Sequence, residues 1–140
     1  MYRDIKGKNY DASLSNKDIA KIVKKELKTR FKDCKISARS TYDGIWIKIS
    51  LNMDKYKAKT WSDLTDNYKK IIINKLNLGC IDEEKVDRYL ENRQVPNLEA
   101  KSIEKEAKEL LESYNYDRSD PYTDYFDVKF YGFVDIELIF

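Results

Sequence analysis

No histidine occurs among the 140 residues of this chain, and cysteine is nearly as scarce, with Cys34 and Cys80 standing alone. The missing imidazole removes Ser-His and Cys-His nucleophile pairs and the commonest general base near neutral pH. It also takes the usual nitrogen ligands from any zinc site, and two cysteines without CxxC spacing do not replace them. Chemistry here would have to rest on carboxylates, lysine or tyrosine. The two thiols read as reduced cytosolic side chains. Long apolar runs are absent as well: the stretches 71–73 and 136–140 fall far short of the roughly 20 residues that span a bilayer. The opening "MYRDIKGKNYD" holds no apolar signal-peptide core. The expectation is a soluble, cytoplasmic protein without a membrane partner, forming one domain over 1–140, a length that buries a core without covalent help.

Charge and tyrosine are abundant. The net charge of +2 conceals an asymmetry, because residues 1–59 hold 16 of the 27 basic and 7 of the 25 acidic residues, net +9, leaving 11 and 18, net −7, for 60–140. A chain so divided is dipolar if its halves occupy different faces. Of the 11 tyrosines, five fall in "YNYDRSDPYTDYFDVKFYGF", residues 114–133.

Residues 1–14 lack periodicity and read as a mobile arm that docks through Tyr2 and Ile5. Order begins at Ser15, whose partner three positions on, Asp18, makes a near capping box. Ile19, Ile22, Val23, Leu27 and Phe31 follow at helical spacing, predicting a helix to about Lys32 with lysines on its other face. "CKISARS" and "IWIKISL", joined by "TYDG", predict a β-hairpin around the Asp43-Gly44 pair. Its inner face is Ile36, Ala38, Ile45, Ile47, Ile49 and Leu51. After a lysine-rich connection over 52–59, Thr60 and Asp63 cap a helix through Leu76 that stops near Gly79. Asp82 caps a shorter one, and Asn97 caps a fourth that buries Ile103, Ala107, Leu110, Leu111 and Tyr114. From Phe126 the even positions are apolar and odd ones include Asp127, Lys129, Asp135 and Glu137. That period of two predicts one strand, or two broken at Gly132 by a bulge or turn. The fold class is α+β: an N-terminal helix, a β-hairpin, a helical middle segment and C-terminal strand or strands in an antiparallel sheet of at least three strands, with Ile19, Val23 and Phe31 packed on it.

Four aspartates, Asp117, Asp120, Asp124 and Asp127, invite a divalent cation, but their spacing lacks the alternating carboxylates and turn glycine of an EF-hand loop. They read as turn caps and solvated carboxylates, so no metal and no cofactor is expected. "DVK" at 127–129, downstream of Asp120, resembles the magnesium-holding arrangement of many nucleases. Its upstream acid lies only seven residues away without further support, so the remote nuclease alternative yields to a non-enzyme. A second constellation joins Lys21, Lys24 and Lys28 of the first helix to Lys35, Arg39, Trp46 and Lys48 on the outer hairpin face. Lysines supply phosphate contacts and an exposed tryptophan a stacking surface, which makes a nucleic-acid-binding module the alternative function. The ordinary reading of such faces is solvated lysine. In the aromatic stretch, alternation places Phe126, Val128 and Phe130 in the core and Tyr122, Tyr125 and Tyr131 in a loop or on the opposite face, where their rings meet a partner.

"DIAKIVKKELKTRFKDCKISARST" (18–41) and "YNYDRSDPYTDYFDVKFYG" (114–132) together resemble the opening and closing segments of the large polyvalent protein-associated domain of type twenty-nine, over about a third of the chain. Where that family continues its second strand into a tryptophan, aspartate and glycine turn, this chain reads "NMDKYKAKTW". The resemblance implies a phage or conjugative mobile element and brings no catalytic residues. It points to a non-catalytic binding protein with a host or element-encoded protein partner, including as one case an inhibitor of a nucleic-acid-targeting defence system such as a CRISPR effector. Tyr122, Tyr125 and Tyr131 with Asp120 and Asp124 would then anchor the interface, since tyrosine is favoured at interface hot spots. Oligomeric state is not readable from the sequence.

Overall fold

The computed structural model describes residues 5–76, 82–118 and 127–139. In chain order its elements are β1 (Ile5–Lys6), α1 (Asn16–Arg30), β2 (Lys35–Ser40), β3 (Gly44–Asn52) and α2 (Met53–Tyr56). After a 3-10 turn at Trp61–Asp63 come α3 (Asp66–Leu76), α4 (Glu83–Glu91), α5 (Leu98–Glu112), β4 (Tyr116–Asp117) and β5 (Tyr131–Ile139). Two compact units are distinguished: Met1–Ser50 with Glu104–Glu137, and Leu51–Ile103 with Leu138–Phe140.

In the first unit α1 begins where the capping box predicts it. Ser15 accepts from the Asp18 amide at 3.1 Å and the Asp18 carboxylate accepts from the Ser15 amide at 3.2 Å. Its stripe Ile19, Val23 and Leu27 is fully buried, whereas Ile22, at the stripe's margin, is exposed. The hairpin pairs Ile36 with Ile49 and Ala38 with Ile47 on the face that α1 covers, and Ser37 with Lys48 and Arg39 with Trp46 on the other. Phe31 is half-buried at the C-cap of α1.

The sheet order is β2-β3-β5, and its direction departs from expectation. The Tyr131 amide donates to the Asp43 carbonyl at 2.8 Å, Phe133 stacks on Trp46, and Glu137 reaches Lys48 at 3.1 Å, so numbers rise together along β3 and β5. The two strands are parallel and the sheet is mixed, not antiparallel. Alternation reveals which side chains share a face but carries no direction. A parallel neighbour needs a long crossover, and the helical middle of the chain is one. β5 is also unbroken at Gly132, where an added Cβ would lie 2.8 Å from Glu112 Oε1 and 3.0 Å from Leu111 Cδ2. The glycine admits α5 against the strand and is no bulge.

The residues expected to form a mobile arm are docked from Ile5 onward. Ile5 and Lys6 pair with Asp117 and Tyr116, and the Gly7 and Asn9 amides donate to the Asn115 and Ser113 carbonyls at 2.9 and 2.8 Å. Backbone hydrogen bonds leave no hydrophobic period, which is why the sequence shows none; Tyr2 lies outside the described residues.

The second unit packs Ala58, Leu64, Ile72, Val86 and Leu90 with Trp61, Tyr68, Leu76, Tyr89 and Val95 around them. Its connection over 52–59 holds a short helix, α2, because the Asn52 side chain accepts from the Asp54 and Lys55 amides at 2.9 and 3.3 Å. Thr60 and Asp63 cap only the 3-10 turn. The expected helix starts later, at Asp66, with the Thr65 hydroxyl accepting from the Tyr68 amide. Asp82 and Asn97 cap α4 and α5 as expected, through the Lys85 and Ala100 amides. Gly79 and Cys80 lie outside the described residues.

Candidate functional site

The helices of the first unit cover one face of the mixed sheet. On the opposite face β2 presents Lys35, Ser37 and Arg39, all exposed, and β3 presents Trp46, Lys48 and Ser50, exposed or half-buried. β5 completes it with Tyr131, Phe133, Asp135 and Glu137, all exposed. Among the described residues no element covers this face.

Its centre is a row across the three strands. The Arg39 guanidinium lies 4.9 Å from the centre of the Trp46 indole, and the Phe133 ring is stacked on that indole at 5.4 Å with 13° between planes. β2 and β5 flank β3 on opposite sides, so the indole is approached by the cation from one neighbouring strand and by the phenyl from the other. An exposed cation-π contact contributes about 0.5–1 kcal/mol and an aromatic pair about 0.5–1.5 kcal/mol, so the row is pre-ordered rather than floppy. The indole leans over Gly44, where a Cβ would sit 2.6 Å from its Cη2. The Asp43-Gly44 pair that signals a hairpin therefore also clears room for the tryptophan. Lys48 is tied to Glu137, and Ser50 Oγ lies 3.5 Å from the same carboxylate. Tyr131 and Phe133 remain 46% and 45% exposed, large for rings on an ordered strand.

Of the residues expected to bind nucleic acid, the fold brings Lys35, Arg39, Trp46 and Lys48 together, but not with Lys21, Lys24 and Lys28. Those lysines line the outer surface of α1, on the far side of the layer it makes with the sheet. The reading of Trp46 as an open stacking surface also changes, since its ring is already stacked on Phe133 and in contact with Arg39. Of the expected partner-binding set, Tyr131 joins the open face. Asp120, Tyr122, Asp124 and Tyr125 lie outside the described residues, as does Phe126.

The segment holding those four is flanked by a paired stem. The Arg118 amide donates to the Asp127 carbonyl at 2.8 Å, and Asp117 bridges to Val128. The Tyr116 hydroxyl donates to Asp127 Oδ1 at 3.0 Å, an acceptor bond that raises the phenol's pKa above its ordinary value. Tyr10 meets Tyr116 edge to face at 5.4 Å, and the Lys129 ammonium sits 5.7 Å from the Tyr10 ring centre. Asp127 and Lys129 thus hold aromatic rings at the stem. Among the described residues no three acidic or sulfur side chains gather as metal ligands.

Two participants escaped sequence reasoning. Phe133 lies on the outward parity of β5, and only knowledge of its neighbour strand could show that it completes a row with Arg39 and Trp46. Asn115, buried at 7% exposure, clamps the chain entering β5: its Nδ2 donates to the Phe130 carbonyl at 2.9 Å and its Oδ1 accepts from the Phe130 amide at 3.2 Å. A polar residue three positions past a helix end is an ordinary turn signal, which hid it. No protein-family model, curated protein or solved structure matches the chain.

Proposed function

We propose that the chain is a non-catalytic binding protein whose interface is the open sheet face, and that its partner there is another protein. The observation that carries this is the Arg39–Trp46–Phe133 row, held in order on an uncovered face beside exposed Tyr131. Arginine, tryptophan and tyrosine are the side chains that dominate protein interfaces, and ordering them before binding reduces the entropy lost on association. Two features favour a protein over a nucleic acid on this face. The Trp46 indole is already engaged by Arg39 and Phe133, and Asp135 and Glu137 of β5 offset Lys35, Arg39 and Lys48. A partner that fits brings an apolar pocket for Tyr131 and Phe133 and a basic group towards Asp135. The mobile-element resemblance directs the first candidates to host or element-encoded proteins, a nucleic-acid-targeting defence complex among them.

A photo-crosslinking amino acid at position 131, with position 42 as control, tests this in lysate of the source cell. Tyr42 is 99% exposed and lies on the hairpin turn, outside the row of Arg39, Trp46 and Phe133. The expected result is a discrete protein adduct at 131 only, lost in the Phe133→Glu background. Equal adducts at 131 and 42, or an adduct removed by nuclease, would overturn the reading.

A further inference from the structure

α1 carries Lys17, Lys21, Lys24, Lys25 and Lys28, and the last four, with Thr29 and with Lys32 just past the C-cap, line a shallow depression of about 480 Å³ on its outer surface. The helix separates its charges by face. Arg30 turns aside to Glu26 at 2.6 Å and Glu106 at 3.0 Å, neighbours that raise its pKa and take both acids away from the lysines. Asp18, the other acid of α1, is engaged in the capping box with Ser15. Lys21, Lys25, Lys28 and Lys32 are exposed and Lys24 is half-buried. No aromatic or aliphatic residue lines the depression, and Ile22 is the one large apolar side chain exposed on α1, too little for the broad apolar face of a membrane-surface helix.

We infer that this lysine face of α1 binds the phosphate backbone of double-stranded DNA, independently of the open sheet face. The argument is charge density. At 1.5 Å per residue, the helical span from Lys21 to Lys28 is roughly 10 Å, with Lys32 just beyond the C-cap. Over that length a DNA duplex presents about six phosphates, one per ~1.7 Å of axis, against these four lysines and Lys32. One strand alone carries about half that axial charge density. The lysines are point charges on flexible stems, without the planar fork that reads a base edge, so the contact is sequence-independent. Lys21, Lys24 and Lys28 therefore act with Lys25 and Lys32, not with Lys35 or Lys48 across the layer.

Fluorescence anisotropy of the full chain with a labelled 20-base-pair DNA duplex, from 50 to 200 mM salt, reads the proposal. Expected are micromolar binding at low salt and a log–log salt slope of about −4, following −0.9 per neutralised phosphate. Lys21→Glu/Lys24→Glu/Lys28→Glu should weaken binding at least ~10-fold, with circular dichroism showing α1 intact. Lys70→Glu/Lys75→Glu/Lys105→Glu removes the same charge elsewhere and should change binding less than ~3-fold. Single Lys25→Ala should flatten the slope by about one. No binding by the parent at 50 mM salt, or equal loss in the two triple variants, would overturn the site. Tighter binding of a single strand or of an RNA duplex would overturn the assignment to DNA. Phe133→Glu should leave DNA affinity unchanged, which separates this site from the open face.

Discussion

Gly44 shows how a single missing methyl supports a surface feature. Alanine there would place its Cβ 2.6 Å from the Trp46 ring, and that ring is held between Arg39 and Phe133. Gly44→Ala should cost about 1–3 kcal/mol as overpacking, and the cost should largely vanish in a Trp46→Ala background. Urea unfolding of the four forms measures this cycle; an equal cost in both backgrounds would locate the strain in the backbone instead. Phe130, 1% exposed, makes the opposite case. Phe130→Ala should cost about 3–5 kcal/mol. Asn115→Leu should cost about 1–3 kcal/mol for each Phe130 backbone group left without its partner, an effect that amide exchange at Phe130 would localise.

Elements in this protein are set by caps at one end and by packing along their length. The Lys59 and Thr60 amides donate to the Asp63 carboxylate at 3.0 and 3.1 Å and hold its pKa below the usual carboxylate value. A carboxyl lowered on folding stabilises above its unfolded pKa, and that stability disappears as pH falls through the folded value. Asp63→Ala should therefore cost about 1 kcal/mol near neutrality and almost nothing in acid, which thermal melts at several pH values would show. A constant cost across pH would remove the carboxylate from the cap. For β5, truncation at Gly132 removes the parallel neighbour of β3 and exposes Ile45 and Ile47, both buried in the complete chain. Loss of the cooperative transition is expected, and unchanged circular dichroism and melting temperature would refute the closing role of that strand.

At the level of the complete chain, the basic first half is divided between two surfaces. Lysines of α1 face outward from the helix, while Lys35, Arg39 and Lys48 share the open face with Asp135 and Glu137. Sites separated by a helix-on-sheet layer, with no shared partner, behave independently to within about 0.3–0.5 kcal/mol. Phe133→Ala and Lys24→Glu should accordingly add in stability when combined, and each should affect only its own ligand. A coupling above that range in a urea double-mutant cycle would show that the two surfaces communicate.

The amino-acid order alone determined those features whose causes are local. Ser15 with Asp18, Asp82 and Asn97 start their helices because a cap acts within one turn, and the inward parity of β3 and β5 follows from alternation within each strand. Local signals misled where neighbours competed: Thr60 and Asp63 cap a 3-10 turn before α3, and Asn52 starts a helix inside an apparent loop. Tertiary structure decided what depends on distant partners. The direction of β5 and the meeting of Trp46 with Phe133 join residues some 90 positions apart across the crossover, and Gly132 meets α5 about 20 positions back in the chain. Alternation assigns a side chain to a face; only the pairing of strands decides which side chains become its neighbours there.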